Sequence, residues 1–134
     1  MASSRRFRRD LPGVPAARRF VADVLAGAGL RATDELLLVV SELATNAIRH
    51  GAGDMEVRVL PGAGQVRVEV LDDGGAAVPE PPGAPPIAAV GGRGLHLVRA
   101  MSQAWGSGFD TAGRTLVWAE VPVRQRALSS AAGC

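Results

Sequence analysis

Ser41-Glu42-Leu43-Ala44-Thr45-Asn46-Ala47-Ile48-Arg49-His50 is the stretch on which the reading of this chain turns. Glu42, Asn46 and His50 stand four residues apart. On an α-helix of 3.6 residues per turn, each such step rotates by roughly 40°. The three side chains therefore leave one narrow ridge. Asn46 is also the only asparagine in the protein. A carboxylate, an amide and an imidazole aligned in this way can hold a metal-bound polyphosphate, or can simply face water.

The helix extends outward from this ridge. Thr33 is placed as an N-cap, and Asp34 and Glu35 suit the positive end of a helix running from 34 to about 50. Leu36, Leu37, Val40, Leu43, Ala44, Ala47 and Ile48 give it a broad apolar side, and Gly51 and Gly53 close it. Upstream, Ala17, Phe20, Val21, Val24, Leu25 and Ala28 recur at helical spacing, which predicts a first helix over 14–28. Downstream, Met55–Leu60 and Gln65–Asp72 alternate as strands around the turn Pro61-Gly62-Ala63-Gly64. Asp72 has the parity of Val66, Val68 and Val70, so a carboxylate takes the last position of the buried face, directly before Asp73-Gly74-Gly75.

Residues 75–91 carry Pro79, Pro81, Pro82, Pro85 and Pro86 and no usable periodicity. A connection this long inside a compact domain is a lid, a binding loop or a linker. Gly91-Gly92-Arg93-Gly94 then opens a short helix with Leu95, Leu97, Val98 and Met101. Unpaired N–H groups at such a helix start can bind an anion. Two further strands, roughly 104–109 and 114–121, flank a turn at Asp110–Gly113, and the Ala/Ser-rich segment from Arg124 reads as a loose tail.

Composition narrows the chemistry. The 134 residues are 47% hydrophobic, enough for one folded domain with a real core. All fifteen basic residues are arginine, so mechanisms that need a lysine, including a Walker-type phosphate loop, are excluded. The single cysteine, Cys134, excludes disulfides and cysteine-based metal sites. No run of eighteen apolar residues and no signal-peptide core occurs, which predicts a soluble, cytoplasmic protein. Residues 1–19 carry six arginines against Asp10, while the remainder carries nine arginines against twelve acids. The N-terminal arm is therefore either a contact for nucleic acid or an acidic partner, or a solvated, frayed terminus. With only Phe7 interleaved, direct nucleic-acid binding is the weaker expectation.

In order, the chain presents ELATNAIRH, VEVLDDGG, a long loop, GGRGLHLV and GRTLVW. This combination resembles the nucleotide-binding domain of the GHKL ATPase/kinase superfamily, and more narrowly the stand-alone bacterial anti-sigma-factor serine/threonine kinases. The resemblance spans roughly residues 10–122. It implies the Bergerat fold, an α+β two-layer sandwich with a mixed, mostly antiparallel sheet of about five strands covered on one face by about three helices. It further implies a basic arm at 1–9, an ATP-binding kinase-like domain at 10–123 and a tail at 124–134, with ATP and Mg2+ as ligands.

By motif position, Asn46 would coordinate magnesium and Glu42 would be the general base on the attacking hydroxyl. His50 would lie near the phosphates. Asp72 would accept from the adenine amino group, Gly74 would admit the base, and Thr115, which shares strand parity with Val117 and Ala119, would support the carboxylate. Gly92, Arg93, Gly94 and Leu95 would meet the phosphates, and the proline-rich loop would be the ATP lid. The partners implied are a sigma factor, an anti-anti-sigma antagonist and a second copy of the chain. Two features depart from the family pattern. Asp72-Asp73-Gly74-Gly75 is followed by Ala76 where DxGxG is common, and the lid carries no lysine. No phosphoacceptor-histidine helices precede the domain, which weighs against a complete sensor kinase. Two other classes remain at this stage: a non-catalytic ATP-binding regulatory module, and a DNA-contacting factor acting through the arm.

Overall fold

Thr33 starts the site-bearing helix. In the computed structural model, which describes residues 2–74 and 98–125, its Oγ1 accepts from the Leu36 N–H at 3.2 Å. Helix α2 (Asp34–His50) follows, with Asp34 and Glu35 in its first turn and Arg49 and His50 in its last. Each pair lies at the end whose partial charge it complements. Leu36, Val39, Val40, Leu43, Ala44 and Ala47 are buried. Val39 is thus added to the expected apolar side, whereas Leu37 and Ile48 are only half-buried. The shift follows from α2 packing both sideways on helix α1 (Gly13–Gly27) and down on the sheet, which widens its buried arc to two contact faces.

Helix α1 buries Ala17, Phe20, Val21 and Leu25 at the expected spacing. It ends before Gly29, whose φ of +75° suits only glycine well. The remaining elements are strands: β1 (Ser3–Phe7), β2 (Leu30–Arg31), β3 (Met55–Pro61), β4 (Gln65–Asp72), β5 (Ala104–Phe109), β6 (Thr115–Pro122) and β7 (Arg124–Gln125). Five form one sheet in the order β1-β3-β4-β6-β5, every pairing antiparallel. Residues 98–101 are helical and are the described part of the third expected helix. The result is an α+β sandwich, in keeping with the fold that the resemblance implies.

Strand periodicity separates the two sheet faces. Met55, Val57, Val59, Val66, Val68, Val70, Val117, Ala119 and Val121 point to one side and join the α1 and α2 residues in a single core. The opposite side of β3, β4 and β6 carries a charge ladder. Arg58 pairs with Glu56 at 3.2 Å and Glu69 at 3.6 Å, and Arg67 pairs with Glu69 at 2.8 Å and Glu120 at 3.4 Å. Arg67 also stacks on Trp118, 4.0 Å from the ring centre. Trp118 in turn lies over Gly106, where an added Cβ would fall 2.8 Å from the indole. Both tryptophans therefore pack within the fold, Trp105 against the core and Trp118 on the charged face.

Two terminal expectations change. The arginine-rich start is not a frayed arm through residues 3–7, because these pair with β3 from Ser3↔Val59 to Phe7↔Met55. Phe7 meets Phe20 at 5.9 Å, and the Arg5 guanidinium lies 4.9 Å from the same ring. An arginine at an inward position hides the alternation that would mark the strand, yet a guanidinium stacks well on an aromatic face. At the other end, Arg124 and Gln125 pair with β2 rather than opening a loose tail. Residues 126–134 lie outside the described residues.

Candidate functional site

Asp72 and Thr115 are the two buried polar side chains among the described residues, 5% and 6% exposed. They are register partners on β4 and β6, and both share the inner face with the core valines. The parity read from the sequence therefore holds for both. A buried carboxylate must have donors, and here they are backbone groups. Asp72 Oδ1 accepts from Gly74 N–H at 2.7 Å and from Ala52 N–H at 3.3 Å. Both bonds fall on the one oxygen.

Two glycines make this arrangement sterically feasible. A Cβ at Gly51 would lie 2.5 Å from both the Asp72 Cγ and the Ala47 carbonyl oxygen. A Cβ at Gly74 would lie 2.5 Å from Asp72 Oδ1 and 2.7 Å from Ala52 N. Backbone from two separate segments thus closes on the carboxylate, and only glycine leaves the space. Gly51 is the cap residue of α2, its N–H donating to Ala47 O at 2.8 Å. Asp72 consequently abuts the C-terminal end of the helix that carries the Glu42, Asn46 and His50 ridge.

Along that helix, Glu42 and Asn46 are half-buried and His50 is exposed. With a rise of 1.5 Å per residue, Glu42 lies about 13 Å further along the axis than Gly51. The ridge therefore runs away from the buried carboxylate, with His50 nearest to it, then Asn46, then Glu42. Among the described residues no group of three or more His, Cys, Asp or Glu could cage a metal unaided. The amide oxygen of Asn46 is of the ligand type accepted by a hard cation that takes most of its ligands from phosphate and water.

The residues expected to meet phosphates, Gly92, Arg93, Gly94 and Leu95, lie outside the described residues, as does the segment 75–91 expected to be a lid. Gly51 and Ala52 were not expected in the site. Gly51 reads in sequence as a helix stop, and nothing local signals that its missing Cβ accommodates a carboxylate twenty-one residues away. Arg9 was likewise missed. It donates to the Ile48 carbonyl at 2.8 Å and the Gly53 carbonyl at 3.0 Å, at the end of α2.

The profile of the histidine kinase-like ATPase domain matches residues 7–119. The chain belongs to that family. The match takes in β1 from Phe7, all of α1, α2, β3, β4 and β5, and β6 through Ala119. It agrees with the antiparallel sheet and the helices packed on one face. This histidine kinase-like ATPase domain is therefore an ATP-binding GHKL-type module. No curated protein matches the chain closely enough to lend it a narrower activity. No helix among the described residues is long and apolar enough to cross a membrane.

Proposed function

We propose that the protein is a cytoplasmic, ATP-dependent serine/threonine kinase of the anti-sigma-factor type. In this reading it sequesters a sigma factor and phosphorylates an anti-anti-sigma antagonist. The observation that carries the nucleotide part is the buried Asp72 carboxylate, whose two backbone donors both occupy Oδ1. That arrangement fixes the side chain and leaves Oδ2 to accept from an exocyclic amino group such as that of adenine. Thr115, its register partner, would support the carboxylate, and Gly74 would let the base approach.

From this anchor the ridge extends in the direction an elongated nucleotide would take. Asn46 supplies an amide oxygen to magnesium, which lowers the charge on the phosphates when bound. His50 stands between base and phosphates. By motif position, Gly92, Arg93, Gly94 and Leu95 would offer N–H groups and one positive charge to the phosphate oxygens. Glu42 accepts the proton of the attacking serine or threonine hydroxyl as its oxygen bonds to the γ-phosphorus and the bond to the ADP oxygen breaks. A phosphate on the antagonist adds charge to its docking surface and switches partners. A second copy of the chain completes the assembly.

Glu42→Ala and Asp72→Asn separate the parts of this proposal. Glu42→Ala should abolish transfer from radiolabelled ATP to antagonist-type proteins, while calorimetric affinity for Mg-ATP stays near wild type. Asp72→Asn should weaken adenine-nucleotide binding by at least about tenfold, since it replaces the acceptor by an amide. Partner control that persists unchanged in Glu42→Ala would establish a non-catalytic binding module instead. Unaltered affinity in Asp72→Asn would remove Asp72 from the site.

A further inference from the structure

We infer that Arg9 is a positioning residue for the nucleotide site, holding the Ala52 N–H on Asp72 by occupying the carbonyl that this N–H would otherwise take. The inference about nucleotide affinity rests on the Asp72 reading above. The backbone switch beneath it stands on geometry alone.

An α-helix continues when each N–H reaches the carbonyl four residues earlier. Gly51 obeys this rule, donating to Ala47 O at 2.8 Å. The next donor, Ala52, would reach Ile48 O. Instead it turns to Asp72 Oδ1 at 3.3 Å, and the Arg9 guanidinium donates to Ile48 O at 2.8 Å. The same guanidinium reaches Gly53 O at 3.0 Å, so it spans the point where the backbone leaves the helix. A carbonyl at a helix end needs a donor, and a cation there also opposes the helix's negative end. Arg9 meets both needs and leaves Ala52 for the carboxylate.

The segment is held from its other side as well. Asp73 N–H donates to Ala52 O at 2.9 Å. Gly53 adopts φ +68°, and a side chain there would collide with the Asp73 carboxylate. Residues 51–53 are thus pressed between Arg9 and the end of β4. Arg9 itself follows β1 by two residues, so the N-terminal strand fixes where the guanidinium sits. Sequence distance conceals this device, because the bonds link residues 39 and 44 positions apart.

Removing Arg9 leaves Ile48 O short of a donor and draws Ala52 N–H back towards it, loosening Asp72. A lysine offers one compact ammonium and cannot fork between two carbonyls, so Arg9→Lys should restore only part of the effect. The test compares Arg9→Ala, Arg9→Lys and the exposed-site control Arg8→Ala. In each nucleotide-free protein, the amide exchange rate and proton shift of Ala52 and Gly74 are measured by NMR, with Val68 as a sheet reference. ADP and GDP affinities are measured alongside.

Arg9→Ala should speed Ala52 exchange and shift its resonance while Val68 stays protected. It should weaken ADP binding about tenfold, the scale of mutations that act on a site without touching its ligand. GDP binding should change less, which a general loss of stability would not produce. Arg9→Lys should fall between, and carries the test if the alanine variant does not fold. Unchanged Ala52 and Gly74 amides in the Arg9 variants overturn the inference whatever the nucleotides do. Perturbed amides in the Arg9 variants, together with a wild-type protein that ignores ADP, would overturn the nucleotide reading and keep the backbone switch.

Discussion

At the scale of single residues, the site depends on atoms that are missing. Gly51 and Gly74 leave the Asp72 carboxylate room where any Cβ would overlap it. Gly51 has φ −92° and ψ −171°, which other residues adopt freely, so its requirement is space and not backbone conformation. Gly51→Ala should therefore destabilise the fold by about 1–3 kcal/mol, the usual cost of overpacking. The folded fraction should also bind adenine nucleotide poorly, because relief can come only from moving Ala47 O or Asp72. Gly62→Ala is the matched control. Its nearest neighbour would be the Gln65 carbonyl oxygen at 3.4 Å, so a change within about 0.5 kcal/mol is expected. Urea titration and calorimetry of both variants decide the matter, and equal effects at the two positions would refute the steric account.

At the scale of elements, α2 combines a start signal, a buried stripe and a functional ridge, and each is local enough to be read from sequence. Thr33→Ala should cost about 1 kcal/mol, since the Leu36 N–H loses its acceptor, and Thr33→Ser should recover most of it. Equal urea midpoints for wild type and Thr33→Ala would show that the cap contributes nothing. The helices, both hairpins of the sheet and the inward parity of Asp72 and Thr115 were legible because 3.6- and 2-residue periods are written into short segments. Strand β1 was not, because Arg5 occupies an inward position and finds its compensation in Phe20, fifteen residues on. The two-residue ladder of β2 with β7 was not, because two residues carry no period. Gly51, Ala52 and Arg9 escaped for the same physical reason. Their roles are fixed by what folding brings beside them.

At the scale of the whole molecule, the sheet is fastened on its charged side by Arg114. It donates to Glu56 at 2.6 Å and to Asp110 at 2.9 Å, joining β3 to the β5–β6 turn across 58 positions of sequence. The hydrogen bond from Arg114 is the largest influence on Glu56 and holds its carboxyl below the usual glutamate range, with Arg58 adding to the effect. A group whose pKa is depressed on folding binds protons more readily when unfolded. Its contribution to stability is therefore complete above the unfolded value, about 4.3 for glutamate, and disappears as pH falls through the lower folded value. Glu56→Gln should be less stable than wild type at neutral pH. The gap between the two should close as the solution is acidified below about pH 4.3, because protonated Glu56 also lacks the charge. Urea unfolding of both proteins from pH 7 to pH 3 measures this directly. A gap that stays constant over that interval would assign the cost of the substitution to packing, and would leave the Arg114 fastening without electrostatic content.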